Sequence, residues 1–391
     1  MASFESTQFV NKILTNIKSR NYMGKEKMHN PGYGGGKSQR IIGLDLFRIG
    51  LAILVFLFHS HIHVLKCDYG FMNAFIDMGA IAMTGFFLLS GYVMDFTSSR
   101  KSFSDLREIK NFYVKRLIAI LPLYYAYAVM NIGINVIWKG MNAVIQEVLL
   151  FPLEILGLQS AYSDLTPYSH NGGSWFISCI LICYFLYPLL YTLTVRLTNQ
   201  VRTCIILILA IILLWSPIIE HYFHLNSIYS NPFLRCLEFS IGILVAQVNT
   251  RHTGNKLVLI LRNPYSCITT LAILFVGVSI AYHIGIPHDY MLYSWVALPC
   301  FISLLFSLGT IRFDGLQKSR IVQYLSALSF SLFLSQLIAV WWIVKYAFDY
   351  IDYHNNFLNI LVSAVICFGI ANFLHYFIEK PSAKYLRVRY L

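Results

Sequence analysis

IIGLDLFRIGLAILVFLFHSHIHV, residues 41–64, is the stretch on which the reading of this chain turns. At ~1.5 Å per residue it is long enough to cross a ~30 Å hydrocarbon layer, yet it carries Asp45, Arg48, His59 and His63. A charge at the centre of an isolated membrane helix costs ~2.5–3.5 kcal/mol even on the lenient insertion scale. At ~100° per residue, the steps from Arg48 to His59 return to within ~20° of the same face, and Asp45 and His63 fall within ~60° of it. The polar groups therefore form one stripe that must look into protein or water rather than lipid. Arg48 and His59 lie ~16 Å apart along it. A cation towards one membrane face and a titratable imidazole towards the other point to a site reached from both sides.

The rest of the chain is equally apolar. Of its 391 residues 57% are hydrophobic and 12% charged, with a mean hydropathy of +0.61; soluble domains carry about twice that charge fraction. This is the composition of an all-α, polytopic transmembrane helical bundle. Further spans are expected at 76–96, 117–138, 174–195, 203–220, 233–249, 265–284, 291–309, 323–346 and 357–378, giving about ten crossings. VIQEVLLFPLEILGL at 144–158 is short, holds two Glu and is broken by Pro152, which fits an interfacial or re-entrant segment better than a crossing.

Loop charge orients these spans. With ten crossings, 25 of the 30 Lys and Arg fall on one side, whereas the opposite loops hold only Lys66 and Lys139. By the positive-inside rule both termini are expected in the cytoplasm, with the chain a multi-pass protein of the plasma or inner membrane. The net charge of +12 then reflects topology, and no nucleic-acid partner is implied. Arg48 belongs to the cytoplasmic half of its helix and His59 to the outer half. Three parts are expected: a flexible cytoplasmic tail at 1–40, a transmembrane domain at 41–380 and a cytoplasmic tail at 381–391. The first tail lacks the apolar core and small-residue cleavage site of a secretory signal. Its GYGGGKS at 32–38 is similar to a phosphate-binding loop but has no strand before it. The eight cysteines sit mostly in apolar runs and read as small buried hydrophobes.

The residues leave several alternatives open. Arg48 either pairs with Asp45 while His59 hydrogen-bonds a neighbouring helix, or the two carry chemistry. Gly79, Gly85 and Gly91 allow close helix approach, with Ser90 and Tyr92 as candidate site hydroxyls between them. Arg235 and Glu238, three apart on one helix, form an intrahelical pair or contact an acceptor. Glu379 ends the last span as a helix-terminal partner or a site carboxylate. His59, His61 and His63 are no metal site, because alternate residues on a helix diverge by ~200°.

Five stretches, taken in order, carry a resemblance: LDLFRIGLAILVFLFH at 44–59, GAIAMTGFFLLSGYVM at 79–94, FYVKRLIAILPLYY at 112–125, RCLEFSIGILV at 235–245 and FIEKP at 377–381. Together they resemble the acyltransferase-3 group of integral-membrane acyltransferases, which modify cell-surface glycans. The resemblance implies that an acyl group, usually acetyl, passes from cytoplasmic acyl-coenzyme A to a saccharide hydroxyl. It implies His59 as general base with Arg48 and Asp45 on the same helix, and Arg48, Lys115 and Arg116 as contacts for the coenzyme's phosphates. Ser90, Tyr92, Trp175, Arg235 and Glu238 are the expected substrate contacts. The expected partners are a cell-surface or lipid-linked saccharide, the bilayer itself, and polysaccharide-assembly proteins. The chain departs from the family pattern at Ala119, where a second basic residue is usual, and at Gln336, where many relatives have His. The acidic residues that often follow the Trp are absent after Trp175. A proton-coupled transporter using Asp45, Arg48 and His59 as a relay, and an inactive scaffold in polysaccharide assembly, are the competing readings.

Overall fold

In the computed structural model the described residues are 40–63, 69–98, 103, 105–161, 173–223, 228–251, 255–286, 290–311, 316, 319–336, 338, 343–344, 347 and 356–391. Among them there are helices and no strands. The expected flexible tail at 1–40 lies almost entirely outside the described residues.

The longer helices are α1 Ile42–His63, α2 Ala82–Ser98, α3 Leu106–Lys139, α4 Met141–Leu156, α5 Ser174–Thr194, α6 Asn199–Phe223, α7 Pro232–Thr250, α8 Pro264–His283, α9 Tyr290–Leu308, α10 Arg320–Gln336, α11 Asn356–Phe373 and α12 Lys380–Tyr390. Their starts follow local chemistry. Asn231 and Asn263 accept hydrogen bonds from the backbone N–H groups two residues on, each with Pro at the first helical position of α7 and α8. Proline costs nothing there, since that N–H has no partner within the helix. Asp105 caps α3 in the same way, accepting from the Arg107 N–H at 2.9 Å.

Eight helical stretches among the described residues are long and apolar enough to cross a membrane. They account for the expected spans at 41–64, 76–96, 117–138, 174–195, 203–220, 233–249, 265–284 and 357–378. The stretch at 291–309 is α9, with a shorter apolar run, Ser294–Leu308. The span expected at 323–346 is α10, described as far as Gln336, with most of the residues after it outside the described set. Two boundaries differ from expectation. α3 begins at Leu106, within what reads as a basic loop, so Lys115 and Arg116 sit inside one 34-residue helix. Helical structure also continues past the last span through a π-helical turn, Leu374–Glu379, into α12, which buries none of its residues. Pro381 is tolerated because it falls in the first turn of α12.

α2 and α7 form the centre. About 78% and 72% of their spanning windows are buried, against 22% for peripheral α6. They cross at two glycines. A Cβ on Gly91 would run into the Phe239 carbonyl oxygen, and one on Gly242 into that of Leu88, so the two backbones touch without intervening side chains. α1 packs on α2 and α10, α5 on α7, and α10 on α11, while α3 packs on the π turn and α12. α4 runs back against α3, where the Tyr124 and Tyr125 hydroxyls donate to the carbonyls of Glu154 and Ile155 at 2.6 Å each.

Candidate functional site

A cavity of about 300 Å³ opens between α1, α2, α3, α5, α10 and the π turn. Its polar lining comes from Arg48, Ser90, Tyr184, Ser326, Ser329 and Glu379, and Phe86, Phe176 and Phe333 supply apolar wall. Ala119 is part of the same wall. The small side chain at that position leaves room where the resembled motif carries a second basic group. Around it the first-helix polar stripe finds its partners. Asp45 is buried and accepts from Ser326 Oγ at 2.6 Å, which ties α1 to α10 one turn before Arg48. Arg48 faces the cavity with Glu379 as the acidic group of the lining.

Arg116 stands behind this wall. Its guanidinium lies 5.5 Å from the Phe112 ring and 5.7 Å from that of Tyr184, and its Nε is buried with no hydrogen-bond partner among the described residues. Tyr184, on whose ring Arg116 packs, lines the cavity together with Ser90. Lys115 is exposed and does not line it. His59 lies three turns along α1 from Arg48, half-buried and outside the cavity lining. Its neighbour His61 points elsewhere, with Nε2 3.7 Å from Asp77 Oδ1.

The expected substrate contacts divide. Ser90 lines the cavity. Tyr92 is buried away from it, where its hydroxyl accepts from Asn249 Nδ2 at 2.9 Å and packs on Gly309. Trp175, Arg235 and Glu238 come together in a second place. Arg235 Nη1 donates to both Glu238 carboxylate oxygens at 2.9 and 2.8 Å, and Nε donates to the Tyr229 carbonyl at 2.8 Å. Thr84 Oγ1 adds a donor to Glu238 Oε1 at 2.8 Å. The guanidinium is packed among the rings of Phe87, Trp175 and Tyr229 at 5.4, 5.4 and 4.9 Å. Arg235 and Glu238 are each 2% exposed, so the ion pair is sealed in protein.

A family model described as an acyltransferase domain, that of the acyltransferase-3 family, matches residues 41–375 of this chain. The chain belongs to that family. Comparison with curated proteins and with solved structures gave no match. The protein is therefore a membrane acyltransferase, and its matched domain begins at α1 and ends inside the π turn.

Within that turn the candidate carboxylate Glu379 meets a partner that sequence reading did not point to, His375. Glu379 Oε2 accepts from Ser331 Oγ at 2.9 Å and pairs with His375 Nδ1 at 2.7 Å. His375 is buried, whereas the Glu379 side chain keeps about a quarter of its surface open. A cavity carboxylate is thus held from behind by an imidazole and a hydroxyl. π turns inside α-helices are frequent at functional sites, and this one brings His375 and Glu379 together. The signal was present as His and Glu four residues apart in HYFIEKP. It was masked because the last span reads as ending at 378.

Proposed function

We propose that this acyltransferase moves an acyl group, in the simplest case acetyl, from cytoplasmic acyl-coenzyme A to a hydroxyl of a cell-surface or lipid-linked saccharide. The observation that carries the proposal is the cavity that Arg48, Ser90 and Glu379, three residues drawn from separate family-like stretches, line together. About 300 Å³ is at the small end of ligand sites. It suits the thioester arm of the coenzyme, with the phosphates left towards the basic loops. Arg48 is the cation in the wall, and guanidinium groups bind phosphate oxygens by paired, charge-assisted hydrogen bonds. Arg116 reinforces this field through Tyr184, and Lys115, exposed on the same helix, meets the outlying phosphates.

In this reading His59 takes the proton of the attacking saccharide hydroxyl, work worth ~10²–10⁴-fold. The new ester forms at the acyl carbonyl carbon as the carbon–sulfur bond breaks and coenzyme A leaves as the thiol or thiolate. Asp45, held by Ser326, keeps α1 in register with α10. Glu379, held by His375 and Ser331, lines the cavity with Arg48 and orients its guanidinium.

The test uses the surface glycan of the producing cell. Ester-linked acetate is measured by NMR in cells with the intact protein, without it, and with His59→Ala at matched membrane levels. Loss of acetate in both altered strains is expected. Acetate that survives His59→Ala but not the deletion would remove His59 from the mechanism, and acetate unchanged in both would overturn the acetyl-transfer reading.

A further inference from the structure

An apolar wall beside a reaction site selects for carbon chains, because each methylene it takes from water is worth about fourfold in affinity. A groove of about 220 Å³ with such a wall lies between α1, α10 and α11. α1 supplies Ile49, Ala52 and Phe56 to its lining, α10 Leu325 and Leu332, and α11 Ala364, and no charged side chain joins them. Two other lining residues, Ile53 and Phe368, keep 54% and 40% of their surface exposed on helices apolar enough to span the bilayer. The groove therefore lies at hydrocarbon depth.

Three observations tie it to the Arg48 cavity and to His59. Buried Ser329 lines both spaces. Around it α10 gives Ser326 and Phe333 to the cavity but Leu325 and Leu332 to the groove, and on α1 Arg48 belongs to the cavity and its neighbour Ile49 to the groove. Next, the groove leads towards His59. The Ser326–Asp45 hydrogen bond sets α10 level with α1. Gln336 and Phe56, ten and eleven residues further on, line the groove together, so the two helices run parallel. His59 is one turn beyond Phe56 and, seven residues from Ala52, falls within ~20° of it around the helix. Last, the lining turns polar at that end. Gln336 Nε2 donates to the Phe333 carbonyl at 3.0 Å, while its buried Oε1 has no partner among the described residues.

We propose that this groove holds the alkyl chain of an acyl donor longer than acetyl. The acyl carbonyl then lies at the His59 end and the chain runs back along α1 past Phe56 and Ala52. The open Gln336 oxygen accepts from the amide N–H that precedes the sulfur in the coenzyme's arm. The inference rests on the acyl-transfer reading above and names the class of acyl group; the bond that breaks and the ester that forms are the same.

The experiment uses the full chain in lipid nanodiscs, acetyl-, butyryl- and hexanoyl-coenzyme A as donors, and oligosaccharide fragments released from the producing cell's surface glycan as acceptor. The readout is the ratio of kcat/KM for hexanoyl to that for acetyl. Wild type is expected to favour hexanoyl at least tenfold, with butyryl between. Ala52→Phe and Ala364→Phe fill the groove and should bring the ratio below two. If these variants do not fold, Ala52→Leu and Ala364→Leu are judged by the same ratio. A wild type that uses acetyl as well as hexanoyl overturns the groove and leaves acyl transfer standing. A preference for hexanoyl that survives in the filled variants also overturns it, since the groove would then hold only bilayer lipid. If no donor is consumed, the acyl-transfer reading fails on its own and thermal protection decides the groove. It stands if hexanoyl-coenzyme A protects wild type more than acetyl-coenzyme A does and Ala52→Phe abolishes the difference, and it falls if the two donors protect equally or the difference persists.

Discussion

The buried Arg235–Glu238 pair yields a prediction whose sign distinguishes a scaffold role from a ligand role. Removing Arg235 as Arg235→Met leaves Glu238 with Thr84 as its remaining hydrogen-bonded partner of the cluster, in a site 2% exposed. Stranding one partner of a buried pair costs ~3–5 kcal/mol. The lost packing of the guanidinium on Phe87, Trp175 and Tyr229 adds ~0.5–2 kcal/mol. Glu238→Leu strands Arg235 instead, which keeps the Tyr229 carbonyl, and should cost about as much. Replacing a whole buried pair by apolar groups is often neutral or stabilising. The double variant Arg235→Met/Glu238→Leu should therefore be more stable than either single one, with a coupling energy of at least ~3 kcal/mol. The assay is unfolding of the purified chain by SDS in mixed micelles, followed by tryptophan fluorescence, with the four proteins arranged as a double-mutant cycle. Singles that unfold like wild type and lose only affinity for the saccharide would refute the argument and return the cluster to the acceptor site.

Three further outcomes follow from the cavity and the helix crossing. Gly91→Ala and Gly242→Ala force the α2–α7 backbones apart and should each cost ~1–3 kcal/mol or more, read as loss of folded protein in fluorescence-detected size exclusion. Ala119→Leu places bulk in the cavity wall and should raise KM for acyl-coenzyme A at least tenfold while leaving the unfolding midpoint within a few degrees. His375→Ala should lower kcat less than Glu379→Ala does, because the imidazole acts through the carboxylate; in the double variant the His375 substitution should have no further effect.

Much of this was legible in the sequence. The apolar runs found the spans, the Asn-Pro pairs marked the starts of α7 and α8, and the spacing on α1 gave a stripe whose Asp45 and Arg48 both meet α10 or the cavity. What escaped was of two kinds. Amphipathic segments hide in charge: LREIKNFYVKR reads as a basic loop because its lysines and arginines mask the apolar positions that make it the first turns of α3. Distant pairings leave no local trace: Ser326 meets Asp45 across 281 residues of sequence, and nothing in SALSFSLFLS at 326–335 tells which of its four serines has a partner on another helix. Trp175, Arg235 and Glu238 were expected as substrate contacts, and their types alone could not tell an open ligand site from the sealed ion pair that Arg235 and Glu238 form.

The crossing of α2 and α7 has one more consequence. Ser90 is the residue before Gly91, where the two backbones touch, so its side of the cavity is fastened to the least yielding part of the bundle. The facing wall is built from α10 and the π turn, where hydrogen bonds from Ser331 and His375 to Glu379 and from Ser326 to Asp45 hold the elements together. Those bonds can exchange partners one at a time, whereas a backbone contact at glycine cannot give without unpacking the core. The cavity thus has an anvil and a jaw: one side cannot shift without unpacking the bundle centre, and the other is held only by side-chain hydrogen bonds.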